Sequence, residues 1–138
     1  MAKSDGWKKS FQIGKELVLA TCSKKSFPNA NIVVSLGFIG QNQLLVADCQ
    51  MKTTIKNLLS NPEIVVVGGY FRIRGKVTIL KTGEYFDLAV GKSKGYKVKH
   101  AILITIKEVV DLDKGKKVYW DSYFPYFSSK TIKNNLKN

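Results

Sequence analysis

The sequence is poor in arginine, histidine, cysteine and proline. Arg72 and Arg74 are the only arginines among 23 basic residues, His100 is the single histidine, and there are two cysteines and three prolines. Each shortage excludes something. One histidine with no acid and nucleophile near it in sequence makes neither a histidine metal centre nor a Ser/His/Asp triad. Cys22 and Cys49 form no C-x-x-C pair and read as free thiols in a reducing cytoplasm. No apolar run approaches the roughly 20 residues of a membrane span. The lysines of the opening MAKSDGWKKSF are not followed by the apolar stretch of a signal peptide. Neither G-x-x-x-x-G-K-[ST] nor G-x-G-x-x-G occurs, and Ser93-Lys94-Gly95 resembles a phosphate loop only loosely, so nucleotide hydrolysis and Rossmann binding are unsupported. Internal repeats and linkers are also missing.

What is present fits one domain spanning residues 1–138, with 44% hydrophobic residues to build a core. The net charge of +13 points first to an anionic partner such as nucleic acid. The cations are almost all lysine, however, scattered from Lys3 to Lys137. Arginine is the usual choice for bidentate phosphate and base contacts. A solvated lysine surface is the simpler reading, and nucleic acid is not the expected partner.

In chain order, Ser4 or Asp5 is placed to cap a short helix through Trp7, Phe11 and Ile13, ended by Gly14. Residues 16–22 (ELVLATC) read as a buried strand, and 30–39 (ANIVVSLGFI) as a second strand in a hairpin with it. A third covers 44–47, followed by a helix that Asn61-Pro62 stops. Residues 63–70 and 71–80 give a fourth and a fifth strand. The fifth alternates with period two and places Arg72, Arg74, Lys76 and Thr78 on one face. A helix from Thr82-Gly83-Glu84 runs through Val90 into a basic loop, 91–99. Residues 100–112 and 117–122 complete the strands. The tail, 123–138, is aromatic and then polar, and is expected to dock at its start and fray at its end. Six or seven mostly antiparallel strands with about three short helices and no βαβ rhythm predict a mainly β fold, a small closed barrel.

The most telling stretch is 44–59, LLVADCQMKTTIKNLL. A strand turns through Asp48-Cys49-Gln50 into a helix that opens on Lys52-Thr53-Thr54. A helix start offers free N–H groups and a positive dipole end, and with a cation beside them it is a natural phosphate seat.

The order of LATC, NIVVSLGFI, LLVAD, KTTIKNL, Asn61-Pro62, RIRGKVTIL, TGEYFD and AILITIKEVVDL resembles the small members of the pyridoxamine 5′-phosphate oxidase-like family, the FMN-binding split β-barrels. The resemblance spans residues 16–117. It implies a homodimer with FMN at the subunit interface. Ile32, Val33, Val34 and Ser35 would lie against the flavin and its ribityl chain. Ala47, Asp48, Cys49 and Gln50 would run along the ring edge, Lys52 and Thr53 would hold the phosphate, and Asn57 would support that turn. Two departures stand out. Asn31 is neutral where many relatives carry a second phosphate cation, which points to weaker binding or to compensation by Lys25, Lys56 or Arg74. Ser35 stands where several small relatives have proline. The tail also lacks the substrate-binding arginines and histidines of full pyridoxamine-phosphate oxidases.

No residue pair stands out as general acid and base. A reaction here would be the flavin's, hydride or electron transfer at the ring, with the chain supplying position and electrostatics. Other readings stay open. The same barrel in related families holds deazaflavin F420 or haem, with His100 the sole candidate histidine ligand for haem, and a basic module could serve a nucleic acid. Asp48 reads equally as a ring-edge partner or a turn cap. Cys49 reads first as a packed thiol, His100 as structural, and Tyr96, Tyr119 and Trp120 as core aromatics.

Overall fold

Burial alternates along the strands as their residue patterns require. On β1 (Glu16–Cys22), Leu17, Leu19 and Thr21 are buried while Glu16 and Val18 face out. On β6 (Phe71–Leu80), Ile73 and Gly75 are buried while Arg72, Arg74 and Lys76 are exposed, the division that the sequence pattern predicts. The computed structural model describes residues 5–121; the tail at 123–138 lies outside them. The remaining strands are β2 (Pro28–Val34), β3 (Phe38–Ile39), β4 (Gln43–Asp48), β5 (Glu63–Gly68), β7 (His100–Asp111) and β8 (Lys116–Trp120). Two α-helices join them, α1 (Thr53–Ser60) and α2 (Glu84–Lys92), and a 3-10 helix, Gly6–Phe11, precedes them.

The fold is a mainly β, antiparallel split barrel, with sheet order β2-β1-β5-β6-β7-β4-β3 and β8 paired outside on β7. The described residues hold eight strands where the sequence pattern predicts at most seven. The difference lies in the stretch 30–39, read as one strand. Its backbone pairs with the β1 side as far as Ser35, whose N–H donates to Lys15 C=O and whose C=O accepts from Gly14. It then turns at Gly37 (φ 98°) and pairs with β4, Leu36 N–H donating to Leu45 C=O. Ser35 Oγ donates to Phe11 C=O at 2.7 Å and accepts from Gly37 N–H at 3.0 Å, which fixes the corner. The chain thus changes partners within three residues and closes the ring.

The interior is filled by Leu17, Leu19, Leu44, Val46, Ile102 and Ile104 with their neighbours. The two ends are plugged differently. At one, Trp7 and Phe11 of the 3-10 helix pack edge-on at 6.0 Å between centroids, and Asp5 makes no side-chain cap to that helix. At the other, α1 inserts Ile55 and Leu58. It is pinned by Asn57 Nδ2 donating to Thr21 Oγ1 at 3.1 Å and by Asn29 Nδ2 donating to Thr54 Oγ1 at 2.9 Å. A second apolar cluster, Leu36, Leu45, Ala89, Ala101 and Leu103, seats α2 on the outer side of β4 and β7. Among the described residues no helix is long and apolar enough to cross a membrane, and no group of three or more His, Cys, Asp or Glu could hold a metal ion.

Gly75 marks the tightest crossing. The β6–β7 register shifts there, and a Cβ at this position would stand 2.5 Å from Thr105 O. Backbone cannot yield as a side chain can, so Gly75→Ala should cost about 2 kcal/mol. Thermal unfolding should show a loss of several degrees in Tm, and an unchanged Tm would contradict this packing.

Candidate cofactor cleft in the split of the barrel

Because residues 36–37 cross to β4, β2 itself keeps a partner on one side only. Its other edge faces the end of β4 across a cleft of about 670 Å³. One wall is Asn31, Ile32, Val33 and Val34 on β2 with Glu16 and Leu36 beside them; the other is Ala47, Cys49, Gln50 and Met51. A third side comes from the end of α2 and the loop after it, with Lys92, Ser93, Lys94 and Tyr96. An unpaired strand edge presents N–H and C=O groups in a row, and these can meet the polar rim of a flat ligand.

Six of the ten residues singled out from the sequence therefore line this cleft: Ile32, Val33, Val34, Ala47, Cys49 and Gln50. The other four stand outside its lining. Ser35 is fully buried and its hydroxyl is committed to the barrel corner. Asp48 is fully buried; its Oδ1 accepts Met51 N–H at 2.7 Å and its Oδ2 lies 2.5 Å from His100 Nδ1. The strand alternation explains this, since Asp48 faces the opposite way from Ala47 and Cys49. Lys52 and Thr53 follow Met51 directly and are exposed at the start of α1.

That helix start has open donor capacity. Lys52 occupies the N-cap position without a side-chain capping bond, and no acidic residue lies in the first turn. The first-turn N–H groups of a helix have no partner within it. Asn57, expected to support the turn, reaches Thr21 on β1 instead.

The cations differ from the sequence-based candidates. Lys25, Lys56 and Arg74 do not line the cleft; Arg74 borders a separate one of about 490 Å³ with Cys22, Asn61 and Glu63. Lys92 and Lys94 do line it. Lys92 Nζ donates to Leu36 C=O at 3.0 Å, so its charge is held at the rim. These residues lie more than forty positions beyond Gln50, and only the Ser93-Lys94-Gly95 run and Tyr96 hinted at them in the sequence.

Cys22 and Cys49 are free thiols. Burial pushes the Cys49 thiol above its ordinary range, and the neighbouring Asp48 carboxylate adds to the rise. Cys49 is therefore a neutral, packed wall residue at neutral pH and not an activated nucleophile.

A small split barrel with an open-edged cleft, one wall of which runs on into an uncapped helix, defines the structural class. The sequence model described as pyridoxamine 5′-phosphate oxidase matches residues 14–113, and the chain belongs to that family. An uncharacterised protein of Methanocaldococcus jannaschii is 29% identical over 108 residues, covering 70% of this chain and 72% of that one. Among solved structures, HupZ of Group A Streptococcus is similar with a TM-score of 0.73 at 17% identity, over 84% of this chain and 98% of that one. An FMN-binding protein of Syntrophomonas wolfei gives 0.63 at 18% identity, over 78% and 82%. An F420 reductase gives 0.61 at 16% identity, over 78% and 98%. At such identities the likeness is one of fold.

Iodoacetamide alkylation of Cys49, followed by mass spectrometry against pH, should rise with a midpoint above that of a simple thiol. A midpoint near or below neutrality would contradict the packed, neutral thiol.

Proposed function

We propose that the protein is an FMN-binding flavoprotein, a homodimer acting as a flavin-dependent oxidoreductase or electron-transfer protein. The observation that carries this reading is the uncapped α1 start, whose Lys52 follows the cleft residue Met51 directly in sequence, opposite a wall formed by the open edge of β2. A phosphate dianion calls for charge-assisted donors, and Lys52 with the first-turn N–H groups supplies them. Asn31 and Gln50 offer amides to the polar parts of a flavin, while Val33, Ala47 and Met51 offer apolar wall and exclude water. Lys92 and Lys94 bias the cleft toward an anionic occupant. FMN, when bound, supplies hydride or electron transfer at its ring. The chain's part is to hold, orient and shield it.

The strand registers support the dimer. Ile32, Val18 and Val67 are cross-strand neighbours on one face of the sheet, and Ala30, Ala20 and Val65 form the next row. Val34 extends the stripe beside Glu16. Ile32 is 73% exposed, Val34 51% and Val18 37%. A contiguous apolar stripe on a sheet face calls for cover. A second copy of the chain would provide it, and because Ile32 and Val34 also line the cleft, a cofactor there would sit at the boundary between subunits.

FMN added to the purified protein should lose fluorescence with saturation and raise Tm; no quenching and no thermal shift would overturn the flavin reading. F420 titrated in parallel tests the deazaflavin alternative. Lys52→Ala should weaken FMN about tenfold, equivalent to about 1.4 kcal/mol, within the range for a hydrogen bond to a charged group. Ile32→Glu should shift sedimentation from dimer to monomer, and a wild-type protein that sediments as a monomer would remove the dimer.

A further inference from the structure

Asp48 is the one charged side chain among the buried polar groups of the described residues. Three bonds converge on it from different directions. Its Oδ1 accepts the N–H of Met51, in the wall that leads into α1. Its C=O accepts the N–H of Lys99 at 2.8 Å, where the loop carrying Lys94 and Tyr96 returns to the barrel. Its Oδ2 meets His100 Nδ1, and the β4–β7 register sets the two residues directly opposite each other. Asp48 touches no cleft space itself, yet the Met51 wall and the loop side of the cleft both hang from it.

We infer that the Asp48–His100 pair is the joint that holds the Met51 wall and the α2-loop side of the cleft at ligand-binding spacing, with His100 as a positioning residue for cofactor affinity. The inference rests on the cleft being the FMN site. A buried carboxylate must have its oxygens satisfied. Met51 N–H serves one oxygen, and the imidazole serves the other. Facing a carboxylate, Nδ1 carries the ring proton and donates, in the neutral ring as in the charged one. The β4–β7 register, which sets Asp48 opposite His100, keeps the ring within reach of Oδ2. Without the ring, Oδ2 has to turn toward water. The carboxylate then leaves Met51, and the turn that delivers Lys52 loses its anchor. A filler of the barrel would be replaceable by any side chain of similar size; a positioning donor is replaceable only by another donor.

The test compares His100→Leu, which fills space without donating, with His100→Gln, which can donate from its amide. Two readouts are taken, FMN affinity and the Met51 and Lys99 amide signals in 1H–15N NMR of the protein without FMN. The expected result for His100→Leu is FMN affinity weakened tenfold or more and displaced, faster-exchanging Met51 and Lys99 amides. His100→Gln should restore affinity to within about threefold of wild type, a factor worth about 0.7 kcal/mol, and both amides with it. Equal FMN affinity in wild type and His100→Leu, or undisturbed amides in that variant, would overturn the joint. If wild type binds no FMN while the amides respond as stated, the flavin reading fails and the joint stands as a property of the fold. Should His100→Leu not fold, Asp48→Asn decides: its amide would donate to the ring and move the ring proton to Nε2, seen in the imidazole 15N shifts. Unchanged shifts there would remove the bond on which the inference stands.

Discussion

The architecture depends on one change of partner. Between Ser35 and Gly37 the backbone stops pairing with the β1 side of the barrel and begins pairing with β4. A single hydroxyl, accepting from Gly37 and donating to Phe11 C=O, holds the crossing in place. Buried backbone groups have to be paired, and here the pairing is handed from one strand to another with a side chain bridging the gap. Two results follow from the same crossing. The ring closes, so the interior can be filled, and β2 is left with an open edge, so there is a cleft. A straight continuation of residues 30–39 would give neither.

This explains why the fold was readable from the sequence and part of the site was not. Period-two burial on β1 and β6, the turn chemistry, and the Pro62 stop are local signals, and they identify the strands correctly. The break inside 30–39 is not local. Only the approach of Phe11 and Leu45 shows that Ser35 is a corner, and the apolar run around it looks continuous. Ala47, Cys49 and Gln50 could be placed because they precede a recognisable helix start. Asp48 sits among them but faces the other way, and its partner His100 is 52 positions off. Lys92 and Lys94 were hidden at the end of α2 and in the loop after it, whose place depends on α2 packing over Ala101 and Leu103. Local periodicity thus reports the frame, whereas the charges in the cleft follow from how distant segments close around it.

The charge pattern gains meaning from the structure. Lysine is spread over the whole sequence, yet in the cleft its placement is selective. Lys92 is tethered to a carbonyl at the rim and Lys94 lines the cleft with it, while Lys52 stands just outside the lining at the start of α1. The neutral Asn31 on β2 is therefore not evidence of a cleft without cations. Its lysines come from the α2 side instead.

The strand β2 also has three distinct duties: Val33 packs against the interior, Ile32 and Val34 form part of the exposed apolar stripe, and the backbone edge borders the cleft. No rearrangement of one of these leaves the other two untouched. If the stripe joins two copies of the chain and the edge holds a ligand, the two equilibria are thermodynamically linked, and the linkage is reciprocal. Ligand saturation then favours assembly, and dilution of the protein lowers its apparent affinity for the ligand. Protein concentration becomes a variable of cofactor occupancy, set by a strand seven residues long.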